Sequence, residues 1–148
     1  MRSSLYETDF YAWTLEQSKF IEQAQFEQLD CQNLAEEIES LGKQQRQELE
    51  NRLAILLGHF LKWDYQASHR SKSWKATIRE QRRSLEKLIR KNPSLKPYLP
   101  EAIEDGYQSG LDLVVRETSL DYPDLPEDCT YTIEQIFNPD FPNGLNDR

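Results

Sequence analysis

The chain has 148 residues, 26 of them acidic and 18 basic, with a net charge of −8 and a pI near 4.8. A chain of this length is expected to form one domain that buries roughly 68–70% of its unfolded surface without help from a disulfide or a metal. The 37% hydrophobic share lies close to the polar limit for a globular protein, but the 11% aromatic share argues against disorder, and no run approaches the roughly 20 apolar residues that span a bilayer.

The first ten residues lack the apolar stretch of a signal peptide, so a cytoplasmic protein with no membrane partner is expected. Cys31 and Cys129 lie far apart and form no CxxC pair, which predicts free thiols. All seven prolines fall between Pro93 and Pro142, and Gly42 and Gly58 are the only glycines before them. A long unpunctuated stretch rich in Glu, Gln, Lys, Arg and Leu predicts helix.

Thr8 or Asp9 is placed to cap a first helix, whose apolar residues Phe10, Trp13, Phe20, Ile21 and Ala24 recur at helical spacing. A connector with Phe26 and Leu29 leads to Asp30, the expected cap of a second helix. The stripe of that helix runs Leu34, Ile38, Leu41, then Leu49, Leu53, Leu56, Leu57, Phe60 and Leu61. Gly42 and the polar run after it mark the expected place for a bend or break.

Residues 67–73 read as a loop, with Ser71 or Ser73 capping a third helix from about Trp74 to Lys91 that must end before Pro93. On that helix Trp74, Ile78, Leu85, Leu88 and Ile89 share one side. Lys75, Arg79, Arg82, Arg83, Lys87 and Arg90 share the other. A fourth helix starts near Pro100 and ends near Thr118, with Gly106 and Gly110 placed to let another helix approach closely. In the turn-rich acidic tail, Thr132 and Gln135 form a capping box for a short helix through Phe137.

The expected fold is therefore all-α, a bundle of four principal helices with a long second helix as its spine. A short C-terminal helix lies in a Pro-rich acidic tail anchored by Tyr131, Ile136, Phe137 and Phe141. Residues 1–119 form the expected bundle domain, and 120–148 pack on it.

Charge is segregated along the chain. Between Lys62 and Lys96 eleven basic residues face three acids, a local charge of +8, and the remainder carries −16. From Glu117 to Asp147 there are eight acids and no basic residue.

Five stretches carry a family resemblance. They are Leu-Tyr-Glu-Thr-Asp-Phe-Tyr-Ala-Trp at 5–13, Asn-Leu-Ala-Glu-Glu-Ile-Glu-Ser-Leu-Gly at 33–42 and His-Phe-Leu-Lys-Trp-Asp-Tyr-Gln at 59–66. Ser-Trp-Lys-Ala-Thr-Ile-Arg-Glu-Gln-Arg at 73–82 and Tyr-Thr-Ile-Glu-Gln-Ile-Phe-Asn-Pro-Asp-Phe at 131–141 complete the set. Together they resemble the bacterial domain of unknown function number 29 over about residues 4–142. The resemblance implies a small, all-helical, stand-alone cytoplasmic protein and brings no catalytic or binding residue with it.

Three constellations are candidates for function. The basic helix face, with Arg70 and Lys72 before it, is suited to tracking a phosphate backbone, and Trp63, Tyr65 and Trp74 lie near it as stacking surfaces. The plainer reading is a solvated helix face, or one neutralised by Glu36, Glu37 and Glu39 or by the acidic tail. The partners expected on this face are a protein or a nucleic acid, and the net charge of −8 works against the latter. A second copy of the chain is expected at the free end of the long second helix if that helix is unbroken.

The second constellation is Arg52 with His59, two helical turns apart, and Glu48 placed to pair with Arg52. The pair resembles the signature of HEPN-type ribonucleases, which implies His59 as acid or base and Arg52 on a phosphate. The plainer reading is a half-buried helix histidine hydrogen-bonded to Glu or Tyr.

The third is a metal site from Glu36, Glu37, Glu39, His59 and His69, which lacks the Glu-x-x-His pairs of a di-iron bundle and has only two histidines. No metal and no cofactor is expected. The favoured reading is a non-enzymatic interaction module acting through the basic third helix, with a small ribonuclease or phosphodiesterase as the alternative.

Overall fold

The computed structural model describes residues 5–147, so residues 1–4 and 148, the ends of the two expected segments, lie outside it. Among the described residues the fold is all-α, with no strand. The helices are α1 (Leu5–Thr8), α2 (Phe10–Glu22), α3 (Cys31–Tyr65), α4 (Lys72–Lys91), α5 (Leu99–Glu117) and α6 (Ile133–Phe137), joined by short 3₁₀ turns. The four principal helices of the sequence reading are α2 to α5, and α6 is the short one in the tail. The single turn α1 carried no signal in the apolar spacing.

Local chemistry sets these boundaries. Asp9 caps α2 by accepting from the Ala12 N–H at 3.1 Å, and Asp30 caps α3 by accepting from the Asn33 N–H at 3.4 Å. Ser71, the first of the two candidates, caps α4 by accepting from the Trp74 N–H at 3.2 Å. Thr132 and Gln135 make both bonds of their capping box. Gly42 does not break the helix, and α3 runs without interruption over 35 residues. One glycine costs about 1 kcal/mol in a helix, and the Lys, Gln and Arg residues after it are good helix formers.

The chain divides into two compact units, one up to Gln45 and one from Arg46. The first unit has a polar centre. The Trp13 indole N–H donates to Asp30 Oδ2 at 3.0 Å, the Asn33 side-chain amide donates to the same oxygen at 2.8 Å, and the Asp30 N–H donates to Gln17 Oε1 at 2.8 Å. Trp13, Gln17, Asp30 and Asn33 are its buried residues. Several residues expected in a core are instead exposed: Phe10, Ile21, Ile38 (66%) and Leu41 (59%). Burial here centres on the network around Asp30, with Phe20, Leu29 and Leu34 half-buried beside it.

The second unit holds the large apolar core, built on Leu49, Leu53, Leu56, Leu57, Phe60 and Leu61 of α3. Ile78 and Leu85 of α4, Ala102, Tyr107 and Val114 of α5, and Ile136 of α6 complete it. Helices α3 and α5 cross at glycines. A Cβ on Gly110 would stand 3.0 Å from the Ala54 carbonyl oxygen and 3.1 Å from the Gly58 nitrogen. One on Gly106 would stand 3.0 Å from the Leu53 Cβ. Gly106 and Gly110 thus do what their spacing suggested, and Gly58 completes the crossing. The tail packs through its expected anchors, with Phe60, Tyr131 and Phe141 meeting edge to face at centroid distances of 5.1 to 5.9 Å.

Candidate functional site

Helix α4 presents a basic surface in the second unit. At 100° per residue, Lys72, Arg79, Arg83 and Arg90 fall within about 40° of one another, and Lys87 lies beside them. The stripe runs about 27 Å along the helix. All five side chains are exposed and make no hydrogen bond or ion pair with any described residue. Among the described residues, ion pairs form at Arg52–Glu48 (3.0 Å) and Lys62–Glu117 (2.9 Å), and none on this stripe.

The other sequence-selected cations are used internally. Arg82 is a correction: it is 5% exposed and sits on the side of α4 that receives the tail. Its guanidinium donates to the main-chain oxygens of Ile136 (2.8 Å), Phe141 (2.7 Å) and Gln135 (3.3 Å). Lys75 is half-buried and donates to the Asp147 carbonyl at 3.0 Å. Arg70 lies over the Trp63 ring at 4.6 Å and donates to the Trp63 carbonyl at 2.9 Å.

The expected stacking surfaces are largely unavailable. Trp63 is buried with its indole N–H on the Asn143 carbonyl at 2.8 Å, and Trp74 is half-buried with the Lys62 ammonium 5.7 Å from its ring. Tyr65 is the exposed member of the three. The tail therefore docks on α4 through carbonyl oxygens and leaves the outer cations unneutralised. Between them lies an open cleft of 640 Å³ lined by Lys75, Arg79, Arg82, Arg83 and Glu86 on one side and Asp140 and Asn146 on the other.

The Arg52–His59 pair stands elsewhere, outside that cleft. Arg52 is half-exposed, with Nε on Glu48 at 3.0 Å and Nη1 on Gln81 Oε1 at 3.2 Å. His59 is buried, and its Nδ1 lies 2.8 Å from the Ile55 carbonyl, which fixes Nδ1 as the protonated nitrogen of the neutral ring. Burial pushes the imidazole below its ordinary pKa, and the Lys62 charge adds to the effect. Arg52 is thus paired as its spacing suggested, and His59 holds its own helix backbone instead of a Glu or Tyr.

Among the described residues no group of three or more His, Cys, Asp or Glu side chains is placed to hold a metal. His69 is exposed beside Ser68. Cys31 is exposed and Cys129 half-buried, and both are free thiols.

One feature of the second unit escaped the sequence reading. An apolar groove of 520 Å³ is floored by Ile89, Leu99, Ile133 and Phe137, with Arg90, Lys96 and Glu86 on its edge. It draws residues from α4, α5, α6 and the turn before α5, so no single periodicity marks it. Ile133 directly follows the Thr132 cap and remains 44% exposed. No helix of the described residues is long and apolar enough to cross a membrane.

No curated protein and no solved structure matches the chain. A family model does: the one described as Domain of unknown function DUF29 covers residues 5–142, nearly the whole sequence. The chain belongs to that family.

Proposed function

We propose that the protein is a cytoplasmic, non-enzymatic interaction module whose α4 stripe docks on the phosphate backbone of a nucleic acid. The observation that carries this reading is the row of Lys72, Arg79, Arg83, Lys87 and Arg90, exposed and unpaired among the described residues. A duplex carries one phosphate on each strand per about 3.4 Å of its axis, so a stripe of about 27 Å lies over several of them. With Trp63 buried and Trp74 half-buried, base stacking adds little, and binding is expected to ignore sequence. The exposed thiol of Cys31 suits a reducing compartment.

No comparable observation favours the ribonuclease alternative at Arg52 and His59, because His59 is buried with its Nδ1 committed to Ile55. The test is fluorescence anisotropy with short labelled RNA and duplex DNA. If about four phosphates are neutralised, affinity falls about 100-fold between about 50 and 200 mM salt. The double variant Arg79→Glu/Arg83→Glu should abolish binding. Absence of binding at the lower salt, or unchanged binding by that variant, would overturn the proposal.

A further inference from the structure

The apolar groove asks for a particular kind of occupant. Ile89, Leu99, Ile133 and Phe137 offer an apolar floor, while Arg90 and Lys96 place two cations at its edge against the single acid Glu86. Such a lining fits an amphipathic helix that presents apolar side chains three or four residues apart among acids. The chain itself carries one. Ile38 and Leu41 in the first half of α3 are three residues apart and more than half exposed, with exposed Glu39 between them.

We propose that the protein self-associates by seating Ile38 and Leu41 of one copy in the Ile89–Phe137 groove of a second. Charge supports this pairing over one between like surfaces. The chain up to Gln45 has nine acids and three bases, net −6, so two such segments repel one another. Helix α4 has eight bases and two acids, net +6, and its Arg90 stands at the groove. In a two-fold dimer the exchange is reciprocal, so each contact is made twice. The pairing does not depend on nucleic-acid binding.

Sedimentation velocity of the full chain over a range of concentrations tests it. The expected result is a dimer that Leu41→Asp dissociates and that Arg90→Glu/Lys96→Glu dissociates independently. All three changes are at exposed positions, and circular dichroism checks that the helices persist. Mixing the two monomeric variants should restore association, because one intact α3 face then meets one intact groove. A chain that stays monomeric at every concentration, or a dimer that survives in the groove variant, would sink the proposal. Leu41→Asp leaves the α4 stripe intact and should keep RNA binding, so the two proposals can fail separately.

Discussion

Arg82 reaches across to the tail and donates from Nη2 to the carbonyl oxygen of Phe141 at 2.7 Å. The same guanidinium satisfies Ile136 and Gln135, so one side chain of α4 holds the main chain at three points. Charged hydrogen bonds of this kind contribute about 1.5–3 kcal/mol, and a lysine lacks the planar fork that reaches several acceptors. Arg82→Lys should therefore lower the unfolding free energy by about that amount in urea titrations. Limited proteolysis should cut the tail earlier in the variant, and an unchanged cleavage rate would mean that Arg82 does not hold it.

The glycines give opposite signs for the same substitution. Gly110→Ala places a methyl group 3.0 Å from the Ala54 carbonyl oxygen, a backbone atom that yields only if the helices separate. A loss of about 1–3 kcal/mol is expected. Gly42→Ala meets nothing within 4 Å and should stabilise by up to about 1 kcal/mol through helix propensity. Thermal melts followed by circular dichroism read both.

The sequence disclosed elements more readily than surfaces. The caps at Asp9, Asp30, Ser71 and Thr132 were legible because capping is local chemistry. Gly106 and Gly110 were legible because their four-residue spacing sets them on one helix face. Arg82 was misplaced because its hydrogen-bond partners are tail carbonyls, and main-chain oxygens leave no trace in residue types. Ile38 and Leu41 continue the spacing of Leu49 and Leu53, yet periodicity reports only that a helix has an apolar face, not that the face is covered. The groove at Ile133 escaped because several elements must fold together before it exists.

His59 makes stability depend on pH. Its folded pKa lies below the ordinary 6.5, chiefly through burial and further through Lys62, while its hydrogen bond to Ile55 and the Glu117 charge oppose the shift. As pH falls through about 6.5 the unfolded chain takes up a proton that the folded chain resists. The contribution is full above that pH and is lost as pH drops toward the folded value, with a slope of at most about 1.4 kcal/mol per unit. His59→Gln should flatten the dependence of urea midpoints between about pH 5 and 7. Equal slopes in both proteins would assign the acid sensitivity to the carboxylates.

Lys62 and Glu117 separate the cost of a broken pair from the worth of an intact one. The lysine side chain is 5% exposed, and its ammonium meets Glu117 at 2.9 Å, whereas the glutamate is 50% exposed. Removing the glutamate strands a buried cation beside the Trp74 face, so Glu117→Ala should destabilise by about 1–3 kcal/mol. Lys62→Met removes the charge and keeps most of the stem's volume, so it should remain within about 1 kcal/mol of the parent. Adding Lys62→Met to Glu117→Ala should then recover most of the loss in urea denaturation. If the double variant is instead as unstable as Glu117→Ala alone, the glutamate acts through packing at the end of α5 and not through the lysine's charge.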